Sequence, residues 1–471
     1  MTEAIKPPYK VVQRFYTLHS RHSSLVLDCR GNAPAILYWG VRLGQGTSPE
    51  MLALLATQQE APACPPEEAP IALSPELGAG FQGNPGIQVH RQGLQWAVSA
   101  QIESVTQTND SALTIVSVCK STQIRITHRL GLDYDSDVLS ASTELYNIGE
   151  SSLSVEQCNA PSIPLPMDYN KILGFQGRWA NEFQLQPVDR FMGTYLRENR
   201  SGRTSHDSFP GMIIHTEQTS EGSGAAYGLH LGWSGNHRIR IEEQFVGRAY
   251  AQLGELFFPG ELNLDPNQSY CSPVLYGAST NNGLSALSKC FHRYIRSHLT
   301  DARMDGKAKP VHFNTWEAMY FDLSMERLQA LADSAAKVGA ERFVLDDGWF
   351  KNRRSDRAGL GDWTVDKTVF PDGLGPLIDY VHAQDMEFGL WIEPEMVNPD
   401  SDLYRTYPDW VLSTPPAPLI LSRNQLVLDL TRTDVQDYLF NCIDALLDQY
   451  PIAYLKWDMN RVINQPGNAE G

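Results

Sequence analysis

Apolar side chains recur at every second position, in short runs, through the first 300 residues. The runs include SLVLDCR (24–30), AILYWGVRL (35–43), LQWAVSAQIESV (94–105), ALTIVSVCK (112–120), TQIRITHRL (122–130), VLSASTELYNI (138–148), AAYGLHLGWS (225–234) and HRIRIEEQF (237–245). Gly, Asn, Asp and Pro separate them. Short half-buried strands between turn signals predict a large antiparallel sandwich. Residues 61–86, rich in Pro, Gly and Glu, predict a long surface loop. The period changes at NNGLSALSKCFHRYIRSHL (281–299), where Leu284, Leu287, Phe291 and Ile295 follow helical spacing. This helix is expected to close a first domain, 1–300, with 301–310 as a linker.

From residue 311 the pattern alternates strand and helix. VHFNTW (311–316) precedes a helix expected over 324–339, with Ser324 as N-cap and Gly339 as stop. RFVLDDGW (342–349) precedes a helix in LGPLIDYVHAQ (374–384). EFGLWIEPE (387–395) precedes a long excursion and the helix DVQDYLFNCIDALLDQY (434–450). In that helix Val435, Leu439, Cys442, Ile443 and Leu446 share a face, and Pro451 ends it. AYLKWD (453–458) is a fourth strand. A βαβαβαβ order predicts parallel strands with helices packed outside, as a barrel or a doubly wound sheet. No dinucleotide or phosphate glycine motif favours the second.

Composition narrows the ligand. The 471 residues carry 38 basic and 55 acidic side chains, a formal net charge of −17. That field opposes nucleic acid and anionic membrane, and no apolar stretch approaches the ~20 residues of a membrane span. The first residues lack a signal-peptide layout. Seven cysteines are scattered singly with no C-x-x-C, which predicts a reducing compartment, the cytoplasm, and neither a disulfide framework nor a zinc site.

The chemistry gathers at the carboxyl ends of the four strands, where parallel α/β folds bind ligands. They end in Trp316 and Glu317; in Asp346, Asp347 and Trp349; in Trp391, Glu393 and Glu395; and in Lys456, Asp458 and Asn460. One acidic strand end is commonly a cap. Four in register are costly to bury unless something pairs with them. Carboxylates with tryptophans and a lysine suit a pyranose, whose hydroxyls donate to carboxylates and whose C–H face stacks on indole. Mg²⁺ held by the same carboxylates is the rival; tryptophan adds nothing to it, and a lysine opposes it. Strand alternation puts Lys456, Asp458 and Asn460 on one face. Lys456 beside Asp458 is expected to favour an ionised carboxylate, as a nucleophile requires.

Six segments in order, NTWEAMYFD, RFVLDDGWF, LGDW, FGLWIEPEMVNPDSDLYRTYPDW, RNQLVLDLTR and YLKWDMNR, resemble the bacterial α-galactosidases of glycoside hydrolase family 36 across 311–461, and GFQGRWANEF (174–183) matches a segment of their N-terminal half. The resemblance implies a β-supersandwich over 1–300, followed over 311–471 by about four units of a (β/α)8 TIM barrel. It implies Asp458 as catalytic nucleophile, Asp346 and Asp347 as galactose-hydroxyl ligands, and Trp316 and Trp391 as an aromatic wall. Arg423 and Lys456 would be further ligands, Asn460 lies in the same segment, and Trp179 would border the site. Trp349, Glu393 and Glu395 are expected to be supporting residues. The implied reaction is hydrolysis of terminal α-galactosides such as melibiose and raffinose with retention, with no cofactor and no metal, in a homo-oligomer (tetramers occur in the family). The family's S-D-N-x-D segment with the acid/base, and its Cys-Ser-Gly-Gly segment, do not occur. The chain is therefore expected to be a piece holding half of the catalytic pair. A galactoside-binding remnant, an α-N-acetylgalactosaminidase, a galactosyl transferase and a metal-dependent barrel lyase or isomerase remain as alternatives.

Overall fold

The computed structural model describes residues 15–44, 46–55, 69–204, 207–301 and 306–467. The chain divides into two compact units, Met1–Arg303 and Met304–Gly471. No helix among the described residues is long and apolar enough to cross a membrane.

The first unit is antiparallel β. Its largest sheet runs, in spatial order, Asn181–Asp189, Lys171–Arg178, Gly211–His215, Ala226–Leu231, Leu275–Thr280, Val138–Asn147, Ile124–Leu132, Ala112–Cys119 and Gln101–Asn109. A four-stranded sheet of Ile163–Leu165, Ala249–Glu255, His237–Glu243 and Gly193–Asn199 contributes to the same core. Period-two burial explains the sandwich. Along Ile124–Leu132 the odd-numbered residues are exposed or half-buried, whereas Ile124, Ile126, His128, Leu130 and Leu132 are buried. Likewise Ile239 and Ile241 point inward between Arg238 and Arg240.

Three expectations change here. Of the segment 61–86, residues 61–68 lie outside the described residues, and Ala72–Glu76 is buried rather than a surface loop. Leu73 N–H donates to Pro34 O, the Ser74 hydroxyl meets His128 Nε2 at 2.9 Å, and Glu76 accepts the Ala100 N–H. Its glycines serve close approach: a Cβ on Gly78 would lie 2.5 Å from Val98 O. Residues 94–100 are irregular, and the strand begins only at Gln101. The closing helix, Gly283–Tyr294, ends in a π turn at Ile295–Leu299. Leu287 and Cys290 are buried, while Ile295, where the π turn starts, is exposed.

The second unit is a four-stranded parallel sheet in chain order: β1 (His312–Asn314), β2 (Arg342–Leu345), β3 (Glu387–Ile392) and β4 (Tyr454–Trp457). The helices α1 (Met325–Lys337), α2 (Gly375–His382) and α3 (Thr433–Gln449) connect them. Ser324 caps α1 by accepting the Arg327 N–H, and Gly339 takes φ 88° at its end. One sheet face, Phe343, Leu345, Phe388 and Leu390, joins Leu328, Ala332, Leu377, Ile378, Val381, Val435 and Leu439 in one fully apolar core. This is the first half of an eight-stranded α/β barrel, and its other face carries the polar residues described next.

Candidate active site

Register decides which side chains meet. Asn314 pairs with Val344, Val344 with Gly389, Gly389 with Tyr454, and Trp391 with Lys456. Residues two further along each strand share that face, so Asp346, Trp391, Lys456 and Asp458 all project from the face opposite Phe343, Leu345, Phe388 and Leu390.

Asp346 is buried and fully engaged. Lys456 Nζ lies 2.7 Å from Oδ2, and Asn314 Nδ2 donates to the same oxygen at 2.6 Å. Asp347 N–H donates to Asp346 Oδ1, and Asp346 N–H donates to the Thr315 hydroxyl. The expected Lys456–Asp458 pair is therefore corrected. Lys456 reaches over β3 to the end of β2, because β2 and β4 flank β3 and the register sets Lys456 beside Trp391.

Asp458 is held by neutral donors instead. Trp391 Nε1 donates to Oδ2 at 3.0 Å, Asn460 Nδ2 to Oδ2 at 2.6 Å, and Met459 N–H to Oδ1 at 3.0 Å. Its own N–H donates to Ile392 O, which extends the β3–β4 ladder by one step. Trp391 is only 2 % exposed, and Trp349, buried behind it, donates Nε1–H to Trp391 O. Trp316 is half-buried and meets Tyr320 and Phe321 edge to face.

Asp347 faces a buried guanidinium. Arg353 Nε and an Nη bind its two oxygens at 2.9 and 2.8 Å. Arg353 also donates to Asn398 Oδ1 and Ala358 O, and it lies over the Phe321 and Phe350 rings. Burial pushes the Asp347 carboxyl above its ordinary range, and Arg353 opposes that shift. Glu393, 1 % exposed, is likewise pushed up by burial, with the Asn460 N–H acting in the opposite sense and the Asp458 charge adding to the rise. Glu395 accepts Trp457 Nε1–H at the surface.

Two further expected residues sit in turns. Arg423 is exposed at a tight turn, Ser422–Gln425, where Arg423 and Asn424 take φ 54° and 58°. Trp179 belongs to the first unit, at the turn joining Lys171–Arg178 to Asn181–Asp189, and is 78 % exposed. Sequence reasoning missed Asn314, Thr315, Arg353, Asn398 and Gln425. Asn314 was legible by spacing, two residues before Trp316 on the same face. Arg353 and Asn398 lie in loops whose polarity gave no direction. Among the described residues no group of three or more His, Cys, Asp or Glu could hold a metal ion.

The arrangement presents a half-buried carboxylate, Asp458, held by uncharged N–H donors beside an Asp–Lys pair. It can bind a polyhydroxylated ring and offer an oxygen nucleophile to it. Comparison with known proteins points the same way. A family model described as Melibiase matches residues 269–471, and one described as Glycosyl hydrolase family 36 N-terminal domain matches 32–265. An Escherichia coli α-galactosidase is 37 % identical over 461 residues, covering 97 % of this chain and 64 % of that protein. The galactosidase domain of the α-galactosidase–sucrose kinase AgaSK superposes with a TM-score of 0.89 at 30 % identity, over 97 % of this chain and 67 % of that one. A variant of the family 36 α-galactosidase AgaA from Geobacillus stearothermophilus, solved in complex with raffinose, gives 0.89 at 28 % identity, over 97 % of this chain and 67 % of that one. The chain thus spans about two-thirds or less of the length of the curated relatives it matches.

Proposed function

Since the chain belongs to glycoside hydrolase family 36, we propose that the protein is a retaining α-galactosidase acting on terminal α-D-galactosyl groups of melibiose- and raffinose-type oligosaccharides. The observation that carries the proposal is the setting of Asp458. Three N–H donors fix its carboxylate on the polar sheet face, at the strand ends, next to the Asp346–Lys456 pair. In this reading Asp458 attacks the anomeric carbon. The bond to the glycosidic oxygen breaks, that oxygen takes a proton from an acid, and a galactosyl ester forms on Asp458. Water then opens the ester with the same group as base. The N–H donors stabilise the carboxylate again when it leaves.

Asp346, Asp347 and Lys456 are assigned to the sugar hydroxyls, with Trp316 and Trp391 as the apolar wall. Arg423 is assigned as a further hydroxyl ligand, and Asn460 serves the subsite through its amide on Asp458. The acid is not assigned to any carboxylate of the cluster. Retention needs a second carboxyl about 5–5.5 Å from the nucleophile and free to exchange a proton. Asp346 is tied to Lys456 and Asn314, Asp347 to Arg353, and Glu393 to Asn460 and Gln425. The 471 residues alone are therefore expected to bind galactose without turning over an α-galactoside. The proposed setting is cytoplasmic, with a homo-oligomer as the working unit. The test is turnover of an aryl α-galactoside by the full-length protein, with label from a mechanism-based fluorosugar mapped to Asp458. Label on another side chain would refute the assignment.

A further inference from the structure

Glu393 is a buried carboxylate that the proposed reaction does not use. It stands one residue beyond β3, 1 % exposed, and joins two other segments. Its Oε1 accepts the backbone N–H of Asn460 at 2.6 Å, and its Oε2 accepts Gln425 Nε2–H at 3.0 Å. Asn460 in turn aims its side-chain amide at Asp458 Oδ2. Gln425 is also buried, and its backbone oxygen accepts from Arg461, a buried guanidinium that donates to Ile420 O as well. One carboxylate thus binds the end of β3, the 422–425 turn and the chain after β4 at a single point. Burying an acid there is unfavourable before its hydrogen bonds are counted, and a merely apolar plug would fill the space without that cost.

We propose that Glu393 is a positioning residue for the nucleophile: by holding the Asn460 peptide it fixes the Asn460 amide against Asp458 Oδ2 and so sets the rotation of the attacking carboxylate. The inference rests on the reading of Asp458 as nucleophile. Without Glu393 the Asn460 N–H loses its acceptor and the peptide turns. Oδ2 then keeps only the indole donor of Trp391. Held by Met459 N–H on Oδ1 and Trp391 on Oδ2 alone, the carboxylate tilts away from the anomeric carbon, and a misplacement of about 1 Å costs on the order of 10²-fold in rate. Binding of the sugar, which depends on Asp346, Asp347 and Lys456, is left in place.

The experiment uses the full-length protein and a 5-fluoro-α-galactosyl fluoride. As this probe reacts, the Asp458 oxygen–C1 bond forms, the C1–F bond breaks and fluoride leaves, so labelling reports nucleophilic attack. Wild-type turnover of an aryl α-galactoside is measured first; its absence refutes the proposed function, independently of any variant. With wild type active, Glu393→Ala is expected to slow labelling about 10²-fold while the galactose inhibition constant changes less than about threefold. Glu393→Gln is expected to keep labelling within about fivefold, because its oxygen still accepts from Asn460 and Gln425 can turn its amide; Gln425 Oε1 has no partner among the described residues. Asn460→Ala is expected to lose at least as much as Glu393→Ala, and the double variant no more than about threefold beyond Asn460→Ala. Wild-type labelling by Glu393→Ala, multiplying losses in the double variant, or a galactose constant that weakens in step with labelling would each overturn the proposal. If Glu393→Ala does not fold, Glu393→Met, of similar volume but without an acceptor, takes its place under the same criteria.

Discussion

Both units bury polar side chains, but they do so differently. In the sandwich the buried groups are scattered: His128 closes on the Ser74 hydroxyl and Glu76 on the Ala100 N–H, while Asp137 with Ser20 and His22, and Arg91 with Asn147, form small separate networks. In the α/β unit the groups converge. Asp346, Asp347, Glu393 and Asp458 lie at adjacent strand ends and are served by Asn314, Lys456, Arg353, Trp391, Asn460 and Gln425. Burial of a polar group is thus no sign of a site. What marks one is several such groups gathered at neighbouring strand ends, because a core needs no such density of charge for stability.

The strongest way to break this contrast is to remove the group that the cluster serves. Asp458→Asn in the full-length protein is expected to lower kcat on the order of 10⁴-fold or more, with unfolding by urea little changed. A residual kcat above about a tenth of wild type would make Asp458 another structurally satisfied acid. Arg353→Met attacks the same region through stability. It leaves Asp347 buried without its cation and is expected to cost about 3–5 kcal/mol in urea unfolding. Adding Asp347→Asn should return part of that loss, since the uncompensated charge is gone; no return would mean that Arg353 matters through its contacts to Asn398 and Ala358 alone. Lys456→Met is expected to reduce kcat/KM about 10²-fold, roughly 3 kcal/mol, by removing a charged donor from Asp346 and from the sugar. An unchanged kcat/KM would assign Lys456 to the sheet and not to the ligand.

These residues also show what was readable beforehand. Period-two alternation and the parallel order suffice to put Asp346, Trp391, Lys456 and Asp458 on one face, because both are local properties of the chain. The partner of Lys456 was not readable. Choosing Asp346 over Asp458 requires the β3–β4 register and the position of β2 across β3. The segment 72–76 fails for a similar reason. Its composition reads as loop, yet the groups that satisfy it, His128 and Ala100, lie 54 and 24 residues from Ser74 and Glu76. Arg353 lies six residues after Asp347, but nothing in a polar loop says that its guanidinium turns inward.

The smallest expected effect sharpens the sandwich side of the contrast. Burial lowers the His128 imidazole from 6.5 to about 4 and raises the Glu76 carboxyl from 4.5 to about 7. Folded protein therefore binds fewer protons than unfolded protein at His128 between about pH 4 and 6.5, so this group makes stability rise with pH there. At Glu76 it binds more protons between about pH 4.5 and 7, so stability falls with pH. In the shared window, about pH 4.5 to 6.5, the two slopes oppose and the wild type should be nearly flat. Each variant should uncover the other's slope. His128→Gln, which can still meet Ser74, is expected to lose stability as pH rises across the window, and Glu76→Gln to gain it, each by up to about 1.4 kcal/mol per pH unit. Amide exchange along Ile124–Leu132, corrected for intrinsic rates, reads the difference. Two variants with the wild type's flat profile would show that neither group is held in its neutral form by the fold, and the pairings of His128 and Glu76 would then lose their energetic meaning.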